Sequence, residues 1–377
     1  MSEWKEYKMA ELIDGIAMGP FGSNIKVDCF VDSGIPVLNG SNLVGFRLNE
    51  DAFNYVTKEK ADSLGHSNAY RGDVVVTHRG TLGQIVYIPE DSKYDRYVIS
   101  QSQFRFVCKK ELVYVPYLVY YFHSREGQYR LLANASQVGV PALARPTSSF
   151  KDVIIPLPPL DTQRHIASIL SSLDDKIDLL HRENATLEQM AETLFRQWFV
   201  VEAKEEWEDV LLGDLIDIGS GKGLQRSEFV ENGLYSILGA NGEIGKTNKY
   251  LVSESDRVIY TGRVGTLGNV FRIENKKAWL SDNTLVVRPK DYYYFVYFVL
   301  KCARLQDFNV GSTQPLIRQS DIKEIEISLP DGNSLKAFEK ECNDIYKKID
   351  SNNNQIQTLI QTRDKLLPRL MNNEISM

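Results

Sequence analysis

Two segments of this 377-residue chain place an arginine in a glycine turn directly after a β-branched run: Thr77-His78-Arg79-Gly80-Thr81 and Thr261-Gly262-Arg263-Val264-Gly265-Thr266. An arginine held this way offers a planar fork of donors suited to phosphate oxygens or to the edge of a guanine. Polar residues also stand where a core strand would be apolar. Ser100-Gln101-Ser102-Gln103 contributes Gln101 and Gln103, and Ser281-Asp282-Asn283-Thr284 contributes Asn283. Asn39 and Ser41 crowd one turn, and Asn241 falls in its later counterpart. Gln137 with Arg145, and Gln314 with Arg318, recur further along. With Arg79, Thr81, Arg263 and Thr266, these residues are of the types that hold phosphates and read base edges, so they form a candidate DNA-binding set. The same types build turns and cap strand ends, so each position also has a purely structural reading.

Catalytic chemistry is much thinner. The histidines, His66, His78, His123, His165 and His181, form no HxxxH or HExxH pattern. No GxSxG elbow, dinucleotide-binding glycine fingerprint or Asn-Pro-Pro-aromatic motif of amino-methyltransferases occurs. Ala240-Asn241-Gly242-Glu243-Ile244-Gly245-Lys246-Thr247 fits a relaxed phosphate loop. Such a loop needs a helix N-terminus directly after it, and Asn248 to Ser253 reads as loop and strand. A glycine-rich hairpin is the better reading. No metal site is expected, and no acid, base and nucleophile assemble, which points to a binding protein.

The elements that position these residues are written twice. Trp4-Lys5-Glu6-Tyr7 recurs as Trp207-Glu208-Asp209-Val210, and Pro36-Val37-Leu38-Asn39-Gly40 as Ser236-Ile237-Leu238-Gly239-Ala240. Gly80-Thr81-Leu82-Gly83 recurs as Gly265-Thr266-Leu267-Gly268, each after a strand run. Ile155-Pro156-Leu157-Pro158 recurs as Ile327-Ser328-Leu329-Pro330. Short β-branched and aromatic runs bounded by Gly, Asn and Asp, followed by a helical patch, predict an α+β domain with a curved mixed sheet in each copy. The spacing divides the chain into a domain at 1–156, a helical spacer at 157–202, a second domain at 203–329 and a second helical spacer at 330–377.

Both spacers carry heptads. Ile166, Leu173, Leu180, Leu187 and Leu194 step by seven, as do Leu170, Ile177, Asn184, Ala191 and Trp198. In the second spacer the series are Phe338, Ile345, Asn352, Leu359, Leu366 and Cys342, Ile349, Ile356, Arg363, Leu370. Every member lies 172 residues after its counterpart, as Ile345 does after Leu173. Such series are the a and d positions of a coiled coil. A helix from 162 to 200 would be about 58 Å long. With a domain at the start of each, the two helices pair only if antiparallel. Asn184 and Asn352 fall at mid-seam, where a polar residue costs stability but fixes register.

Composition sets the remaining limits. Charged residues are 25% and the formal charge is −6, which argues against a generally basic nucleic-acid coat protein. Residues 1–158 carry 17 basic and 17 acidic groups, and residues 201–330 carry 16 and 19, so the acidity is spread out. Cys29, Cys108, Cys302 and Cys342 include no CxxC pair, which disfavours a zinc finger or a disulfide framework. No leader-like apolar segment or membrane-length run occurs, so a cytoplasmic protein without membrane contact is expected.

Ile154-Ile155-Pro156-Leu157-Pro158-Pro159-Leu160-Asp161-Thr162-Gln163-Arg164-His165-Ile166-Ala167, followed by Leu173-Asp174-Asp175-Lys176-Ile177-Asp178, resembles the central region of type I restriction–modification specificity subunits. Ser328-Leu329-Pro330 through Lys348-Ile349-Asp350 resembles that family's C-terminal region, except that Asp331-Gly332-Asn333 replaces the Pro-Leu-x-x-Gln start. Val258 to Gly268 and Leu238 to Gly242 resemble its target-recognition domains. The resemblance implies two target-recognition domains separated by two long antiparallel coiled-coil helices. It implies a non-catalytic subunit whose domains each read half of a bipartite, asymmetric site on double-stranded DNA. It also implies two methylation subunits carrying S-adenosylmethionine, restriction subunits using ATP and magnesium, and no cofactor on this chain. Two other classes stay open: a stand-alone DNA-modifying enzyme, and a structural tether with non-DNA ligand-binding domains.

Overall fold

Val74-Val75-Val76-Thr77 is apolar on both of its faces, and the fold buries both. In the computed structural model, which describes residues 4–20, 22–136 and 139–374, these four residues form a central strand with no exposed side chain. Val74 and Val76 face a core with Phe104, Phe106, Tyr117, Phe122 and Phe150, while Val75 faces Leu38, Val86, Tyr97 and Ile99. A strand covered on both sides shows a continuous apolar run instead of an alternating one. Val258–Gly262 repeats the arrangement, with Ile259 on a helix-covered core and Val258 and Tyr260 on the other.

The chain divides into two units, one running to Leu179 and resuming at Ile356, the other spanning Leu180–Gln355. In the first unit a four-stranded antiparallel sheet runs in the order Ile13–Met18, Gln103–Cys108, Val74–Thr77, Ile85–Tyr87. In the second the order is Ile216–Ser220, Thr284–Pro289, Val258–Gly262, Val270–Ile273. Each sheet is covered by one aromatic helix, Val115–His123 or Tyr293–Cys302. Each unit has a further sheet with one parallel pair: Ile35–Val37 beside Arg96–Val98, and Tyr235–Gly239 beside Ala278–Leu280. Both units are therefore mixed α+β. The entry and exit of each domain pair as a ribbon, Lys5–Lys8 with Ile154–Leu157 and Glu208–Leu211 with Glu326–Leu329. No helix among the described residues is long and apolar enough to cross a membrane.

Two long helices follow the ribbons, Leu160–Arg196 and Gly332–Met371, the first running into a π-helical turn at Gln197–Val201. Within each unit they are antiparallel. In the first, Ile166, Ala167 and Leu170 share a core with Leu367, Leu370 and Met371. In the second, Ala191 and Phe195 share a core with Phe338 and Cys342. Of the heptad residues, Ile166, Leu180, Ile349 and Ile356 are buried, and Leu173, Leu187, Leu194, Ile345, Leu359 and Leu366 are half-buried. Asn352, 1% exposed, donates from Nδ2 to Oδ1 of Asn184 at 2.9 Å, and Asn184 donates to Oδ1 of Asn353 at 2.9 Å. The seam asparagines thus pair with each other.

The third polar seam residue, Arg363, is also matched. Its guanidinium donates to Asp174 at 2.8 Å and lies over the Phe46 ring, and Tyr120 donates to the same carboxylate at 2.5 Å. Gln163 is fully buried: its amide accepts from Tyr114 N–H and donates to the carbonyls of Leu112 and Pro158, locking the helix entry onto the first domain. Leu335 stands in its place in the second copy and joins the core. There Asp331 caps the helix, accepting from the N–H groups of Asn333 and Ser334. The sequence departure at Asp331-Gly332-Asn333 is thus a change of capping chemistry. Glu339, about two turns on, accepts from Tyr294 and Phe295 N–H and so caps the aromatic helix.

Candidate nucleic-acid interface

Antiparallel pairing brings Met18, Gln103, Thr77 and the residue before Ile85 to one edge of the first four-stranded sheet. Three turns therefore meet there: Gly19 onward, Ser100–Gln103, and His78–Gln84. Main-chain bonds fix them to one another. His78 N–H donates to Ser102 O at 2.8 Å, Gly19 N–H to Gln103 O at 2.8 Å, and Gly80 N–H to Pro141 O at 2.8 Å. The second domain repeats the edge. Arg263 N–H donates to Asn283 O at 2.8 Å, Gly221 N–H to Thr284 O at 3.1 Å, and Gly265 N–H to Pro315 O at 3.0 Å.

The shared Gly-Thr-Leu-Gly forms a tight turn on each edge. Gly80 and Gly83 have φ of 90° and 88°, and Gly265 and Gly268 have φ of 85° and 94°. A side chain is strained in that left-handed region, so the motif is written in glycine for backbone reasons. It carries Thr81 and Thr266 outward, both exposed.

The main-chain bonds set the register between the two edges. His78 and Arg263 make the same main-chain bonds: each donates to the polar turn, and each carbonyl receives an N–H, from Leu143 and Ile317. Arg79 bridges Ala142 as Val264 bridges Leu316. Arg79 is therefore not the counterpart of Arg263; His78 is. The two arginines set in glycine turns are thus not equivalent positions. His78 turns inward, its Nε2–H donating to Gln101 O at 3.2 Å. Burial, reinforced by the neighbouring Arg79 charge, holds its pKa below the usual imidazole value, so the ring is neutral near pH 7.

The remaining candidates sort by exposure and bonding. Arg79, Gln101, Arg145, Asn283, Gln314 and Arg318 are exposed, and Arg263 is half-buried. Arg145 has φ 46° and opens the helix Pro146–Lys151, two residues past the strand bonded to His78. Arg318 N–H donates to the Asp321 carboxylate at the start of Gln319–Lys323. Asn39 spends its side chain on Ser41, accepting from that residue's N–H at 2.8 Å and hydroxyl at 2.6 Å. Both therefore shape their turn. Gln103 is corrected as a DNA contact: it is 0% exposed, and its Oε1 accepts from Ser100 N–H, so it supports the turn from beneath. Gln137 lies outside the described residues.

Two features escaped the sequence reading. One is a latch joining the Asn39 and Asn241 turns to the edges. Gln84 accepts from the Thr77 hydroxyl and donates to Gly40 O at 2.9 Å. Asn269, at the same place in the second domain, donates to Asn241 Oδ1 at 2.8 Å, and Asn241 donates to the Thr266 hydroxyl at 3.1 Å. The other is the loop after the first strand. A Cβ on Gly19 would stand 1.8 Å from Ser100 O, and one on Gly221 2.0 Å from Ser281 O. These glycines let two loops close over the polar turns, and their recurrence after the first strand was the available signal. Lys222 is exposed there, its carbonyl held by the Trp279 indole and its N–H by Leu280 O.

Charge follows the same geography. Arg96, Arg105, Arg257 and Arg272, away from the edges, are each paired with a carboxylate. Among the described residues no carboxylate lies within 4.0 Å of the charged groups of Arg79, Arg145, Lys222 or Arg263. The edges thus keep Arg79, Arg145, Lys222 and Arg263 unpaired on a chain that is acidic overall, which leaves them available to phosphate.

A family model described as the type I restriction modification DNA specificity domain matches residues 1–189 and 204–362. The chain is 24% identical to the type I restriction enzyme MjaIX specificity subunit of Methanocaldococcus jannaschii, across 81% of this chain and 78% of that one. It is 22% identical to the HindI specificity subunit of Haemophilus influenzae across the full length of both. The crystal structure of a type I restriction–modification S subunit from M. genitalium shares the fold, with a TM-score of 0.61 and 17% identity over 97% of this chain and 96% of that one.

Proposed function

Since the chain belongs to the type I restriction–modification DNA specificity family, we propose that each of its domains reads one half of a bipartite, asymmetric site on double-stranded DNA, the paired helices setting the unread spacer. The chain is the non-catalytic specificity subunit. One observation carries the reading: the same edge, with the same main-chain bonds, is built twice and furnished with different side chains. Two copies of one scaffold with different furniture suit two half-sites of different sequence. Phosphate contacts from the free cations would position each edge, and the polar turn residues would meet bases. Half-sites on B-DNA are spaced by helical geometry, about 34–36 Å per turn, which a pair of long helices of fixed register is suited to hold.

Two methylation subunits would dock on the helical part and bring S-adenosylmethionine to modify adenine. Restriction subunits would bring ATP and magnesium. No step of either reaction is assigned to this chain. The test is sequencing of methylated sites in cells expressing the chain with its cognate modification subunit. A bipartite, asymmetric motif with a fixed spacer is expected; a continuous or palindromic motif would refute the reading. A purified chain that cleaves or methylates DNA alone would favour a stand-alone enzyme.

A further inference from the structure

The register between the two edges has a consequence for specificity. With His78 matched to Arg263, and with Ser102 and Asn283 as their carbonyl partners, the residue before each is also matched: Gln101 and Asp282. The loops that close over the polar turns agree. Gly19 and Gly221 approach the carbonyls of Ser100 and Ser281. A Cβ on Gly22 would stand 2.0 Å from the Gln101 amide, and one on Gly223 3.3 Å from the Asp282 carboxylate. Both side chains are exposed at the apex of their turns and lie against a bare glycine backbone.

Asp282 is out of place on charge grounds. It stands on an edge whose Lys222 and Arg263 are kept free of carboxylates, and among the described residues no cation lies within 4.0 Å of it. Next to a phosphate backbone an unpaired carboxylate is repelled. It is useful there only if it accepts a hydrogen bond from the nucleic acid. In the major groove cytosine presents a donor, the N4 amine, with no acceptor of its own, whereas adenine sets N7 beside its N6 donor. A carboxylate, which only accepts, fits cytosine. A glutamine amide both donates and accepts, and fits adenine N7 and N6.

We propose that Gln101 and Asp282 are equivalent base-reading positions, Gln101 taking adenine in the half-site of the first domain and Asp282 taking cytosine in that of the second. This rests on the DNA-specificity reading. Glycine at 22 and 223 leaves room for each reader, and His78 positions the first by holding the Gln101 carbonyl.

The test is methylated-site sequencing of the complex with the cognate modification subunits, for the unaltered chain and for Asp282→Asn, Asp282→Glu and Gln101→Glu. Asp282→Asn should lower the preference for cytosine at one position of one half-site by roughly ten- to a hundredfold, leaving the other half-site unchanged. Asp282→Glu, which keeps the acceptor, should retain cytosine there. Gln101→Glu should shift one position of the opposite half-site from adenine towards cytosine. Unchanged motifs in Asp282→Asn and Gln101→Glu, or a change spread over both half-sites, would overturn the inference while leaving the DNA-specificity reading intact. Loss of methylation in Asp282→Asn and Asp282→Glu alike, with unaltered melting, would assign Asp282 a structural role and also overturn it. If the unaltered chain directs no bipartite motif, the function itself fails and the inference falls with it.

Discussion

Replacing the seam asparagines with leucine separates stability from register. Asn352 is 1% exposed and Asn184 8%, so a leucine at either place would be buried almost completely. Each buried leucine contributes about 1.5–3 kcal/mol. Against that stand three hydrogen bonds, Asn352 to Asn184, Asn184 to Asn353 and Asn352 to Glu183, each worth about 0.5–1.5 kcal/mol net, and some imperfect packing. The double variant Asn184→Leu/Asn352→Leu should therefore be more stable by about 1–2 kcal/mol. The single changes should not share this gain equally. Asn352→Leu leaves Asn184 Oδ1 without its donor, a penalty of about 1–3 kcal/mol that cancels the new apolar burial. Asn184→Leu leaves the Asn352 amide still donating to Glu183 at 3.0 Å, so it should gain about 1 kcal/mol. Urea unfolding of all four proteins followed by circular dichroism measures the cycle. A double variant less stable than the parent would refute the reasoning, because the pair would then be a net stabiliser and not a register device. The matching functional readout is the spacer of the methylated motif, which should lose uniformity in the double variant while both half-sites persist.

Other outcomes follow from the same geometry. Deleting one heptad from each long helix should change the spacer and leave both half-site sequences alone; an unchanged spacer in the methylated sites would refute the ruler. Arg263→Ala should weaken DNA binding by the assembled complex and reduce the slope of log affinity against log salt by about 1, measured by fluorescence anisotropy at several ionic strengths. Leu370→Ala should cost about 2–5 kcal/mol, and the loss should appear as faster amide exchange in the distant strand Val74–Thr77, whose core it shares. His123 packs on Phe46 and donates to Ile85 O at 2.8 Å, and burial lowers its pKa from 6.5. The unfolded chain then binds the proton more readily, so the stability of the first unit should fall as pH drops below about 6.5. His123→Gln should flatten that dependence in melting curves taken between pH 7.5 and 5.5.

The parts legible in the sequence were those carried by periodicity and order. Heptads exposed both helices, their seam and the asparagine pair, because a period of seven is a statement about one face. The duplicated order of motifs exposed two α+β domains. Strand register was not legible, because it is set by partners distant in the chain. Both segments read as an arginine in a glycine turn, yet the main-chain bonds match Arg263 to His78 and not to Arg79. For the same reason Gln103 looked like a surface glutamine: Thr77, the residue it opposes, lies 26 positions earlier. The Gln84 and Asn269 latches are single amides whose partners are fixed only once the sheet exists. Gln163 was visible as part of a motif, but its three bonds to Tyr114, Leu112 and Pro158 were not.

The core of the first domain is finished by Leu367, Leu370 and Met371, against Ile166, Ala167 and Leu170. During synthesis the ribosome must add roughly 200 residues between those two sets, which at about 5–20 residues per second takes on the order of 10–40 s. For that interval the domain emerges with one apolar flank uncovered, although its strands and aromatic helix are already made. The nascent chain is then a natural client for chaperones. A slow codon stretch anywhere in the second domain would lengthen the exposure of the first.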